Sequence, residues 1–463
     1  MLTVGGPATN RAIPAGFLGL SLEYFAIPAY AGTDPLAINP VFVQLIRNLS
    51  PGQAPELRIG GDTTDRTWWP IRGTPTPAGV TASLTPGWIA TAKALATATG
   101  ARLTLGINLE ADSATVAGTE ADQLLAGIGP GRIEALELGN EPELYGTFTW
   151  GLSGKLGRPR GYDFTAFSRD FTRIAGALPP VPLAGPASGA PRWFADLSRF
   201  LAGHRDVAVA TLHRYPLESC YVKSPNPTYP TIAHLLSSRS TRALADSVAA
   251  AVNEAHAHRV PLRVDEINTV SCGWDPAVGR SFASALWALN VLFQLAGVGV
   301  DGVNIHTFPG AAYALFRFSQ VDGQWQGAVM PEYYGLELFA QAAPAGSQLL
   351  RISPPDGRQL DAYATRAPDR TLRVVVINEG STDRAVRVRV PAKTTAASTA
   401  TLELLTAPSL EARSNVTLGG QSFGTTTTTG LLAGAQKTYA IAPAQHDYVL
   451  SLPAASAALL TLG

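Results

Sequence analysis

The stretch Leu136-Glu137-Leu138-Gly139-Asn140-Glu141-Pro142-Glu143 decides how the chain is read. An apolar strand runs into an amide and a carboxylate, and proline closes it. Pro142 cannot donate to a sheet and disfavours helix at the preceding residue, so the strand is expected to end at Asn140-Glu141. A buried strand that delivers a carboxylate at its C-terminal end is how a parallel α/β barrel presents catalytic groups. Alone, Asn-Glu-Pro is equally well a turn with a solvated glutamate. A second strand, Pro261–Asn268, shifts that balance because it delivers another carboxylate, Glu266. Glycosidic hydrolysis needs two such groups, one to protonate the leaving oxygen and one to attack the sugar or activate water. Like charges facing across a cleft also push one pKa up, which supplies the acid.

Outward from these strands the pattern repeats. Strand candidates at Phe17–Tyr24, Glu56–Gly61, Arg102–Asn108, Ile133–Glu141, Pro182–Ser188, Val207–Tyr215, Leu262–Asn268 and Gly302–Thr307 alternate with helical patterns. This alternation predicts an α/β protein with a closed (β/α)8 TIM barrel over residues 15–343. A doubly wound open sheet would normally carry a glycine-rich phosphate loop after its first strand, and Ser21-Leu22-Glu23-Tyr24 is not one. Beyond Pro344, short alternating runs separated by Gly, Pro, Ser and Thr predict a C-terminal antiparallel β-sandwich over 344–463. The N-terminal segment 1–14 is expected to join it as a strand, and Thr425–Thr429 reads as a surface loop or edge strand.

The 463 residues suffice for a barrel and a smaller module, and 46% hydrophobic residues with a mean hydropathy of +0.10 allow a sizeable core. Lys+Arg and Asp+Glu are both 35, which sets aside a dominant nucleic-acid surface. With no run of about 18 apolar residues, no membrane span is expected. Met1-Leu2-Thr3-Val4-Gly5-Gly6-Pro7 lacks the basic start and apolar core of a signal peptide. A secreted or periplasmic location is expected if a leader has been removed, and a cytoplasmic one otherwise. Cys220 and Cys272, the only cysteines, each follow a barrel strand by a few residues. They either meet as a disulfide across neighbouring loops or remain thiols, and no histidine stands at metal-ligand spacing from them.

The ordered set of motifs resembles glycoside hydrolase family 79, a clan A family that contains β-glucuronidases and heparanases. The matching pieces are Ser21-Leu22-Glu23, Leu57–Asp62, Leu138–Pro142, His213-Arg214-Tyr215-Pro216, Asp265–Asn268, Cys272-Gly273, and Val303–His306 through Tyr313. The resemblance implies an exo-acting, retaining β-glucuronidase that works through a covalent glycosyl-enzyme intermediate and needs no cofactor or metal. It implies Glu141 as acid/base and Glu266 as nucleophile, with Arg58 holding Glu266 ionised and Tyr215 bonded near it. Asn140, Glu23 and Asp62 are expected on sugar hydroxyls, Gly273 and Tyr313 on the uronate carboxylate, and His306 in support. The competing expectations are an interior ion pair with Glu137 for Arg58, a loop-capping carboxylate for Glu23, and plain packing for His306.

Ser271 departs from the pattern, because the family's β-glucuronidases tend to present tyrosine there. A β-glucosidase or other neutral β-hexosidase on the same site therefore stays open, as does an inactive carbohydrate-binding protein. Neutral overall charge disfavours a strongly sulfated chain as the main substrate. Trp68, Trp69 and Trp150 lie beyond strand ends, as stacking platforms for sugar or aglycone or as buried structural aromatics. The oligomeric state is not legible from the residues.

Overall fold

The computed structural model describes residues 1–272, 276–353, 359–391, 399–445 and 447–463. Its centre is a closed parallel barrel whose strands one to eight are Leu18–Glu23, Glu56–Gly60, Arg102–Ile107, Ile133–Leu138, Leu183–Ser188, Val207–Arg214, Leu262–Ile267 and Gly302–Thr307. Closure pairs strand eight with strand one, Val303 opposite Leu18 and Thr307 opposite Leu22. Helix starts are written locally. Asn39 accepts from the N–H groups of Val41 and Phe42 with proline at the first position, and Thr85 caps Pro86–Thr99, which stops at Gly100 with φ 77°.

The second domain is one continuous sheet that folds round its own core. Strand order runs Thr417–Leu418, Ala400–Thr406, Ser456–Leu462, Leu372–Asn378, Leu360–Arg366, Gln348–Ile352, Leu2–Ala12, Arg384–Arg389, Asp447–Leu452. The N-terminal strand Leu2–Ala12 links the two faces, pairing antiparallel with Gln348–Ile352 and parallel with Arg384–Arg389. Residues from both ends of the order, among them Leu402, Val374, Val388 and Leu450, meet in a single apolar cluster. Alternation along Leu372–Asn378 serves both sides: Val374 and Val376 face that cluster, while Val375 and Ile377 join the barrel's core. Within Thr425–Thr429, Thr427 bridges Gly327 in the hairpin Phe316–Val321/Gln324–Val329, an edge contact. Among the described residues no helix is long and apolar enough to cross a membrane.

Candidate active site

Strand four stops at Leu138, three residues short of the expected end. Gly139 turns the chain with φ 79°, and Glu141 itself adopts the left-handed region at φ 47°, capping the short 3-10 turn Pro142–Leu144. The N–H groups that leave the ladder are still satisfied. Asn140 donates to Asp65 Oδ2 at 2.9 Å and Glu141 to the Ala187 carbonyl at 2.9 Å. A bulky residue in this region carries strain, of a kind that clusters at functional sites. The turn lifts the Glu141 side chain to the barrel mouth, 23% exposed, with Oε1 3.2 Å from His213 Nδ1. Burial, then the charges of Glu266 and Asp62, push its carboxyl up to about 8.

Glu266 is 7% exposed and held the opposite way. Arg58 Nη1 donates to its Oε2 at 2.6 Å and the Tyr215 hydroxyl to its Oε1 at 2.9 Å. Burial alone would raise this carboxyl, but the imidazoles of His306 and His213, the guanidinium and the hydroxyl hold it well below the usual range. An oxygen of Glu141, a ring nitrogen of His213 and an oxygen of Glu266 all lie within 4.8 Å of one another. Carboxylates and an imidazole at that spacing can hold a metal in principle. Here Arg58 already supplies the cation that faces Glu266.

Both expectations for Arg58 meet in one residue. Its Nε donates to Glu137 at 2.6 Å and stands 3.2 Å from Asp265, while Nη1 reaches Glu266 and Nη2 donates to the Asn140 carbonyl oxygen at 2.8 Å. Asp265 and Glu266 are consecutive, yet both face this guanidinium, because the pairing register of strand seven shifts there against both neighbours. Burial and then the Glu137 charge keep Asp265 protonated. Glu137, which burial alone would raise, is held low by Arg58. The Asn140 carbonyl is taken by Arg58, which leaves its amide N–H groups for a ligand.

The remaining expected residues divide. Tyr313, 8% exposed, lies with its hydroxyl 3.4 Å from that of Tyr215. His306 bonds Ser21 Oγ at 2.9 Å and stands between Glu23 at 3.5 Å and Glu266 at 3.9 Å, so it links the site rather than merely packing. Glu23 takes the loop-capping role: it accepts from the N–H groups of Asp62 at 3.1 Å and Thr63 at 2.9 Å and from the Thr63 hydroxyl. Few of its lone pairs remain for a sugar. Asp62 is at the rim, 62% exposed, paired with Arg66 at 3.1 Å. Gly273 and Trp274 lie outside the described residues. The Ser271 hydroxyl donates to the Leu217 carbonyl at 3.3 Å, turned into its own loop.

Cys220 and Cys272 are bonded, stapling the loops after strands six and seven beside the short parallel pair Leu217–Glu218/Val270–Ser271. Trp68 is 3% exposed and bonds Ser83, so it is structural rather than a platform. Trp150 is tied by its indole N–H to the Asp65 carbonyl at 2.6 Å.

His213 is the site residue to which the sequence assigned no role. It is fully buried on strand six, and burial pushes its imidazole down to about 4. Its signal was present, two residues before Tyr215 on the same strand face. Glu143 is a second one: it accepts from Gly189 N–H at 2.6 Å behind Glu141, and burial, then Glu141, push it up to about 7.

Residues 362–459 match the model of the glycosyl hydrolase family 79 C-terminal beta domain. The chain is similar in structure to a 4-O-α-L-rhamnosyl-β-D-glucuronidase from Fusarium oxysporum 12S, at TM-score 0.73 and 20% identity, covering 99% of this chain and 100% of that one. It is also similar to the GH51 arabinofuranosidase from Xanthomonas axonopodis pv. citri, at TM-score 0.68 and 16% identity, covering 100% and 99%. At these identities the likeness is one of fold. No curated protein matches the chain in sequence. The resemblance to family 79 read from the barrel motifs is joined by this match over the second domain.

Proposed function

We propose that the protein is a retaining glycoside hydrolase that removes a terminal β-linked glucuronate. The observation that carries the reading is the placement of two carboxyl groups a few ångströms apart in opposite surroundings. Glu266 is held by Arg58 and Tyr215, whereas Glu141 stands beside His213 without a cation of its own among the described residues. In these surroundings Glu141 is pushed up to about 8 and Glu266 is held low. A proton on Glu141 passes to the glycosidic oxygen as the bond to the anomeric carbon breaks, and ionised Glu266 attacks that carbon. Glu141, now a carboxylate, takes a proton from water, which displaces Glu266 and restores both groups. Retention fits a gap of about 5–5.5 Å between carboxyl groups, whereas inversion needs about 6.5–9.5 Å to admit water. Asn140 is suited to the hydroxyl beside the anomeric carbon, and Tyr313 to the far end of the sugar ring.

One observation favours a second reading. The Ser271 hydroxyl is spent on Leu217, so no phenol stands there to grip a uronate carboxylate, which suits a neutral β-hexosidase. Hydrolysis of nitrophenyl β-glucuronide compared with nitrophenyl β-glucoside separates the two. Preference for the glucuronide is expected; preference for the glucoside overturns the uronate assignment and leaves the mechanism standing. Absence of turnover on any β-glycoside, with sugar binding retained, would favour the inactive binding protein.

A further inference from the structure

Two exposed aromatic rings meet between the loops that follow strands four and six. Phe148, 40% exposed, is in the loop after strand four, and Tyr221, 68% exposed, is in the loop after strand six. Their ring centroids are 5.6 Å apart at 31°. Strand five, between those strands, ends at Ser188, and the next helix begins at Pro191, so almost no loop rises there. The ring contact spans that gap. The Glu141 carboxyl lies against the gap's floor: a Cβ on Gly189 would stand 2.9 Å from its Oε1. Both rings are tethered to the catalytic groups. The Phe148 N–H donates to Leu144 in the turn that begins at Glu141, and Tyr221 follows Cys220, bonded to Cys272 on the loop beyond Glu266.

The group that departs over Glu141 is the aglycone, because this residue protonates its oxygen. Residues 146–154 carry no Asp, Glu, Asn, Gln, Lys, Arg or His, and Leu152 among them is 90% exposed. On the Tyr221 loop, Glu218 accepts from the Tyr221 N–H and Asn226 from Thr228, both within that loop, and Lys223 lies two residues beyond Tyr221. A second sugar needs amide, carboxylate or guanidinium partners for its hydroxyls, and a sulfated chain needs cations. We propose that Phe148 and Tyr221 form the aglycone site and that the leaving group they fit is a flat phenolic alcohol. This rests on the hydrolase reading above and adds the substrate class on its leaving-group side.

The test compares 2-naphthyl β-glucuronide with glucuronosyl fluoride, whose leaving group is a single atom, in the parent and in the Phe148→Ala/Tyr221→Ala double variant. Aromatic contacts of this kind predict that the ratio of kcat/KM for the naphthyl substrate to that for the fluoride falls by about fivefold or more. A ratio unchanged within about twofold overturns the proposal. So does an equal loss on a glucuronosyl disaccharide. Failure of the hydrolase reading shows separately, as no fluoride release by the parent. Calorimetric binding of 2-naphthol to parent and double variant then decides the aglycone site by itself, weaker in the variant if the site is real and equal if it is not.

Discussion

In the proposed mechanism, Glu141 and His213 set the chemistry at the residue scale. Of the two neutral tautomers of His213, the one with its proton on Nδ1 would donate to Glu141 Oε1, 3.2 Å away, and leave Oε2 to carry the acid's proton toward the substrate. His213 faces Glu141, Glu143, Glu137, Asp265, Glu266 and Arg58, and burial still keeps it neutral at pH 7, down at about 4. The acid works protonated, so kcat/KM should fall as pH rises through about 8 and hold toward acid until Glu266 protonates. A pH–rate profile with no alkaline limb would contradict the assignment. His213→Asn should cost at least tenfold on a glycoside with a poor leaving group, but only about twofold on a dinitrophenyl glycoside, which needs no proton. Equal losses on the two substrates would reduce His213 to packing.

The two acids were legible in the sequence because each stands where an apolar run stops. Their surroundings were legible only in part: the resemblance put Arg58 and Tyr215 beside Glu266, and the residues offered Glu137 as another partner for Arg58 and loop capping for Glu23. No local signal says that Arg58 serves Glu137, Asp265, Glu266 and Asn140 at once, since those contacts are made only when distant strands close into a barrel.

At the scale of elements, the decisive piece is the turn that ends strand four. Pro142 predicted a stop, and Gly139 makes it sooner by taking φ 79°. A Cβ there would stand 2.3 Å from the Tyr145 hydroxyl and 3.0 Å from Leu109 Cβ. Gly139→Ala should therefore shift Tyr145, whose hydroxyl bonds the same Asp65 that holds the Asn140 N–H. The expected result is a loss of kcat of about tenfold or more with a stability cost of about 1–2 kcal/mol. A variant that melts early but turns over normally would show that the turn is structural only. Helix caps at Asn39 and Thr85 were legible because a cap is a contact within four residues. The bulge at Asp265 was not, because nothing in a single strand records its partners' register.

At the scale of the whole molecule, the second domain is part of the barrel's support. The first N–H groups of helix Phe282–Gly297 donate to the Ala412 and Leu410 carbonyls, and Asn290 on the same helix bonds Asp361 on the sheet and Glu379 just beyond the strand Leu372–Asn378. Burial pushes Glu379 up to about 8, and burial, then Asp65, push Glu110 up to about 9. Raised carboxyls bind protons in the folded state that the unfolded chain has already released. Their stabilisation is full below the ordinary glutamate pKa and is lost as pH climbs through the folded values. The melting temperature should fall between about pH 5 and pH 9, opposed only below about pH 6.5 by His213, whose folded imidazole is held down at about 4. The low-lying Glu266 and Glu137 add a constant stabilisation over that interval. A melting temperature that rises over that interval would contradict these protonation states. The sandwich was legible from its alternation, but its closure by Leu2–Ala12 depends on pairing with strands more than three hundred residues away.

The most direct measurement is trapping with a 2-deoxy-2-fluoro-β-glucuronosyl fluoride, followed by digestion and mass mapping of the modified peptide. A sugar bonded to Glu266, turning over slowly in the parent and absent from Glu266→Gln, is the expected result. A label on Glu141 or any other residue would contradict the division of roles between the two carboxyl groups.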